Sequence, residues 1–189
     1  MTFDRMTWLN PPPEVTVKDG TLTLTTGDRT DFWRKTHYGF IRDTGHFLHH
    51  PVTGDFTVEV TITARYEALY DQAGLMLRLD ETRWVKAGVE YTDGQAFFST
   101  VITNDRSDWS IVALPFAADR LRLRLTRHAD AIRVQVQRPD GSWLMTRLGY
   151  LDAGPAQVGV MACSPERAGF NASFQDYACG PAIDRMLHD

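Results

Sequence analysis

Lys86 and Glu90 share one side of the run Trp84-Val85-Lys86-Ala87-Gly88-Val89-Glu90. A lysine and a glutamate on one strand face can hydrogen-bond a polar ligand. They can also act as acid and base if partial burial shifts their pKa values. Same-face neighbours in an extended strand lie about 6.6 Å apart, which separates the two by about 13 Å. They cannot pair with each other, so each needs a partner from an adjacent strand or from a ligand. Gly88 between them leaves a gap in the side-chain layer where a ligand can approach the backbone. Trp84 at the head of the row offers an apolar ring for stacking. The competing reading is a solvated outer face with cross-strand salt bridges.

Other stretches carry further candidates. Asp31–Gly39, "DFWRKTHYG", is loop-like and holds Asp31 and Trp33, the latter either a stacking platform or a core plug. Asn104–Ser110, "NDRSDWS", reads as a polar loop. In it Ser107 and Asp108 cap their own backbone or form a hydrogen-bonding rim beside Trp109. His46, His49 and His50, with His37 upstream, invite a metal, but their spacing matches no closed zinc site and no cysteine is near. No metal and no cofactor is expected. Arg120, Arg122 and Arg124 form one row, either solvated or neutralising acidic side chains on neighbouring strands. There is no G-x-S-x-G elbow, P-loop, G-x-G-x-x-G or H-E-x-x-H motif. Nor is there the Glu-x-Asp-x-x-Glu strand by which laminarinase-type sandwiches carry their carboxylates.

The elements that must position these residues are strands. Period-2 alternation recurs in Thr21–Thr26, Phe56–Arg65, Arg120–Arg124 and Ile132–Gln137. Tyr70–Tyr91 reads as two strands joined by a polar turn at Asp80–Arg83. Leu75, Leu77 and Leu79 mark its first core face; Val85, Ala87 and Val89 mark the second. Asp19-Gly20, Asp93-Gly94 and Asp140-Gly141 supply the positive φ of tight hairpins. The pattern predicts an all-β chain folded as a two-sheet antiparallel sandwich. One domain over 1–189 is expected, with a core over about 8–177 and a tail at 178–189, helical for a turn or frayed.

The 189 residues are 43% hydrophobic and 23% charged, with a net charge of −4. This balance lacks the basic footprint of nucleic-acid binding and the polybasic run of membrane-surface binding. The first residues lack the apolar core of a signal peptide, and no apolar run is long enough to span a membrane. A cytoplasmic location with Cys163 and Cys179 as reduced thiols is expected.

Trp8-x-Asn10-x-Pro12, "TDFWRKTHYG", "GHF", "DFTVEV", "YDQAGLMLR", "WVKAGVEY", "SDWS" and "VGVMACSP" occur in this order. Together they resemble the domain of unknown function 1349, also called the regulation-of-enolase-like family. The resemblance runs from about Trp8 to Phe174. It implies a concanavalin-A-like jelly roll and no established reaction. Its polar motif positions fall on Asp31, Trp33, Asp71, Gln72, Lys86, Glu90, Ser107, Asp108 and Trp109. Asp71 has core parity, which suggests capping or pairing with an arginine at a strand entry. The favoured expectation is a non-catalytic module that binds a carbohydrate or small polyol. Trp33, Trp84 or Trp109 would stack on the ligand, while Gln72, Lys86 and Glu90 would bond its hydroxyls. The alternatives are an enzyme acting on a sugar or sugar phosphate through Lys86 and Glu90, and a protein-interaction domain that regulates a metabolic enzyme.

Overall fold

A computed structural model describes residues 2–187. The alternating runs form two seven-stranded sheets. The first has the spatial order β1 (Thr7–Leu9), β6 (His46–Val52), β15 (Ala156–Cys163), β8 (Gln72–Arg78), β9 (Arg83–Thr92), β10 (Gln95–Asn104), β11 (Arg106–Val112). The second runs β14 (Trp143–Tyr150), β13 (Ala131–Gln137), β12 (Arg120–His128), β7 (Phe56–Ala64), β16 (Asn171–Gly180), β3 (Thr21–Thr25), β2 (Glu14–Lys18). Every pair is antiparallel. The architecture is a jelly-roll sandwich. Among the described residues the only helical element is a 3-10 turn at Phe3–Arg5.

The period-2 pattern explains the core. Leu75 and Leu77 of β8 and Val85, Ala87 and Val89 of β9 share one cluster with Val58, Val60 and Ile62 of β7 and Leu121, Leu123 and Leu125 of β12. None of these is more than 3% exposed, and each fully buried aliphatic side chain contributes about 1.5–3 kcal/mol. Asp93 and Gly94 both have positive φ (51° and 77°), as a two-residue hairpin turn requires. They fix Thr92 opposite Gln95, and with that the face on which every residue of β9 lies.

A third layer was not expected from the sequence. Asp31–Gly39 is not a plain loop: β4 (Phe32–Arg34) pairs with β5 (Ile41–Asp43) as a hairpin that packs on the outer face of the first sheet. Phe32, Trp33, Phe47, Met76, Trp84, Val101, Met161 and Cys163 form a second apolar cluster beneath it. Polar contacts fasten the hairpin down. Arg78 donates to both carboxylate oxygens of Asp43 at 2.8 Å. The Arg34 amide donates to Ser107 Oγ at 2.9 Å. At Gly45, which follows the hairpin, a Cβ would collide with the Phe32 ring and Cys163 Sγ, so the close approach needs glycine.

Asn104–Ser110 also departs from its loop reading. Asp105, at φ 58°, makes the turn, and Arg106–Val112 forms edge strand β11. An edge strand half in solvent has no apolar alternation to betray it. Strand β16 takes Ala178–Gly180 out of the expected tail. Residues 181–187 form no helix, and His188 and Asp189 lie outside the described residues.

Candidate functional site

Strand register assembles the floor of the site. Lys86 of β9 lies between Met76 of β8 and Val101 of β10, and Val101 is opposite Trp109 of β11. Two same-face steps along, past Gly88, Glu90 is opposite Gln72. These side chains share the face turned away from the sandwich core, yet it is not solvated: Lys86 is 4% exposed and Glu90 6%. The roof accounts for this. Asp31, one residue before β4, accepts a hydrogen bond from Lys86 Nζ at 3.2 Å and caps the Phe32 amide at 2.7 Å. Glu90 Oε2 accepts from Trp109 Nε1 at 3.2 Å, and the same N–H lies 3.1 Å from Ser99 Oγ. Each charged group therefore has its partner on another element, as the strand spacing requires.

The walls are aromatic. Trp109 meets Tyr70 edge-on at 6.2 Å. The Tyr70 and Tyr38 hydroxyls bond at 2.9 Å, and Tyr38 meets Trp33 edge-on at 5.8 Å. Trp33 Nε1 donates to the Thr36 carbonyl, which fixes its ring. Floor and walls enclose a cavity of about 310 Å³, at the lower end of the range for small-molecule sites. Tyr70 holds φ 65°, a conformation that is strained for a bulky residue.

Electrostatics follow from burial. Burial raises the pKa of Glu90, and the nearby Lys86 ammonium and the donors Ser99 and Trp109 only partly offset it. For Lys86, burial alone pushes the pKa down, but the attraction of Asp31 and Glu90 more than reverses it, so the ammonium stays charged. Burial also raises the pKa of the Cys163 thiol. A paired cation beside a carboxyl inclined toward its neutral form presents donors and acceptors together, which suits hydroxyl groups.

Asp31, Trp33, Gln72, Lys86, Glu90 and Trp109 all line this cavity. Trp84, Ser107 and Asp108 do not. Trp84 has the expected parity but is 1% exposed and tilts against Phe32 at 6.2 Å. It is a core plug under the roof and cannot stack on a ligand. Ser107 is buried and bonds the Arg34 amide and Thr103 Oγ1, so it anchors the hairpin. Asp108 points to solvent and pairs with Arg147. Gly88 opens no route either. Its Cβ would collide with the Ala73 carbonyl, and the void beside it is only about 10 Å³, room for one water at most. Asp71 caps the amides of Glu67 and Ala68 and pairs with Arg167 and Ser164, the strand-entry role its parity suggested.

The other constellations resolve into structure. His46 bridges the Asn10 carbonyl and the Gly27 amide. His50 bonds the Tyr177 hydroxyl. Among the described residues no cluster of His, Cys, Asp or Glu is placed to hold a metal, and both cysteines are free. Arg122 and Arg124 flank Glu59 at 2.7 and 3.9 Å on the second sheet, away from the cavity. The sequence reading missed Tyr38, Tyr70, Arg29 and Arg42, all of which line it. Tyr38 and Tyr70 could have been found in the quoted "TDFWRKTHYG" and "YDQAGLMLR" runs; the two arginines carry no local signal.

A family model for proteins of unknown function, DUF1349, matches residues 8–182. The chain belongs to this family. The DUF1349 chain is 42% identical over 184 residues to "Regulation of enolase protein 1" of Saccharomyces cerevisiae, covering 97% of this chain and 93% of that one. A solved structure of a functionally unknown S. cerevisiae protein is 40% identical, with a TM-score of 0.94 over 97% of this chain and all of that one. The carbohydrate-binding module CBM66 of Bacillus subtilis shares the DUF1349 fold at a TM-score of 0.61 and 15% identity, over 93% and 96% of the two chains. No described helix is long and apolar enough to cross a membrane.

Proposed function

We propose that the chain is a non-catalytic module that binds a carbohydrate or small polyol in the cavity between the β4–β5 roof and strands β8–β11. The observation that carries the reading is the buried pair of Lys86 and Glu90, with the half-buried Asp31 on the Lys86 ammonium, at the bottom of an aromatic-walled cavity. Buried charges cost stability unless they are paired, and an ordinary outer face would leave them in water. Trp109, 37% exposed with its N–H held by Glu90 and Ser99, presents a fixed apolar ring for the C–H face of a sugar. Gln72, Lys86 and Glu90 bond its hydroxyls. CBM66 shares only the fold, so the reading rests on the cavity. A thermal-shift screen of mono- and disaccharides and small polyols tests it. A saturable rise in melting temperature is expected for at least one, lost in Trp109→Ala. No shift across the panel would contradict it.

A second reading, regulation of a metabolic enzyme by docking, draws on the name of the yeast relative and on a patch beside the cavity mouth. Tyr38, Phe40 and Ile41 are 47%, 38% and 51% exposed there. Exposed apolar residues clustered on one hairpin suit a protein contact. Titration with purified enolase, with and without Ile41→Asp, separates the readings, because only docking is sensitive to that change.

A further inference from the structure

Two arginines reach the cavity from different elements. Arg29 lies on the loop before β4, and Arg42 lies on β5 opposite Trp33. Among the described residues neither guanidinium has an ion-pair partner. Arg42 rests over the Phe40 ring at 5.1 Å, which holds its planar fork at the mouth. The loop that carries Arg29 is fixed. Thr30 and Ser164 exchange bonds at 3.1 Å, and Ser164 Oγ donates to the buried Asp71 at 2.7 Å. On this rigid loop Arg29 takes φ 51°, a left-handed conformation that a long side chain adopts only where its surroundings impose it. Glu166 is the carboxylate on the same rim. Deeper in, Asp31 pairs with Lys86, and burial raises the pKa of Glu90. Among the described residues the rim itself thus carries two guanidiniums without ion-pair partners, Arg29 and Arg42, against one carboxylate, Glu166.

We infer that the ligand is an anionic sugar or polyol, with its phosphate or carboxylate bound at the mouth by Arg29 and Arg42 and its hydroxyls directed to Gln72, Lys86 and Glu90. Planar guanidinium groups suit both anions, because each can offer two parallel N–H donors. The inference rests on the binding reading above and narrows it to a chemical class.

Calorimetric titration of the full chain with D-glucose, D-glucose 6-phosphate, D-glucuronate and inorganic phosphate tests it. An anionic sugar is expected to bind roughly tenfold tighter than glucose, with an advantage that shrinks as salt is added. Arg42→Gln and Arg29→Gly should each lower affinity for the anionic sugars far more than for glucose. Arg29→Gly separates function from structure: glycine relieves the left-handed backbone, so melting temperature should hold or rise while anion affinity falls. Equal affinity for glucose and its anionic counterparts, or variants that leave the preference intact, would overturn the inference and spare the polyol reading. Arginine-dependent binding of phosphate with indifference to every sugar would sustain the anion site and overturn the polyol reading. No binding by any anionic probe would overturn the inference.

Discussion

Strands β9 and β12 carry the same pattern in sequence and meet opposite fates. Each alternates core aliphatics with long charged side chains, and each turns the charged row away from the sandwich core. On β12, Arg122 keeps 35% of its side chain exposed beside Glu59 at 21%, a half-solvated ion pair. On β9, Lys86 keeps 5% and its partner Asp31 15%. Alternation sets which way a side chain points; whether that direction leads to water depends on a distant segment. Here the segment is the β4–β5 hairpin, which lies over β9 and not over β12. One row stays in contact with solvent at Arg120 and Arg122 and is shielded only at Arg124, by Trp143, while the other becomes the floor of a cavity.

Substitutions should expose this difference. The largest effect is expected at Trp84, which is buried under the hairpin. Trp84→Ala should cost about 4 kcal/mol in chemical denaturation, whereas Trp143→Ala on the open sheet should cost far less. A value under about 1 kcal/mol at Trp84 would mean that the roof is not packed there.

Lys86→Ala comes next. It leaves Asp31 and Glu90 without their cation and should cost about 3 kcal/mol. Arg122→Ala, the matching change on β12, should cost about 0.5 kcal/mol. Equal costs would erase the distinction between the two faces.

Glu90 sharpens the comparison through pH. Burial, only partly offset by Lys86, Ser99 and Trp109, raises its pKa above the ordinary 4.5. The folded chain therefore binds this proton more tightly than the unfolded chain. The stability this confers is complete below about pH 4.5 and is lost as pH rises through the folded value. Glu90→Gln removes that loss and should gain on the parent as pH rises above about 4.5 in thermal unfolding. A Glu90→Gln variant that loses ground over this range would place the folded pKa below the unfolded one.

The sandwich was legible because its strands announce themselves. Val58, Val60 and Ile62, or Leu121, Leu123 and Leu125, form an unbroken alternation that only a two-sided sheet explains, and Asp93-Gly94 fixes the register of β9 against β10. The direction of Lys86, Glu90 and Gln72 was legible for the same reason. The roof was not. Phe32-Trp33-Arg34 is too short to show a period, and nothing local says that it will lie on β9. Parity placed Trp84 beside Lys86, but only the hairpin decides that one lines a cavity and the other is sealed beneath it. Ser107 and Asp108 were misplaced because β11 is an edge strand whose burial follows no alternation. The Asp31–Lys86 pair spans 55 residues, a contact that no local pattern encodes.

The binding claim is tested most directly by tryptophan emission. The parent, Trp109→Phe and Trp143→Phe would each be titrated with the sugar or polyol that gives the largest thermal shift. Trp109 lines the roofed cavity, and Trp143 stacks under Arg124 on the open sheet at 4.1 Å. The parent and Trp143→Phe should saturate at the same ligand concentration, while Trp109→Phe loses the emission change and binds more weakly. A response that survives in Trp109→Phe and disappears in Trp143→Phe would put the ligand on the open sheet and contradict the account.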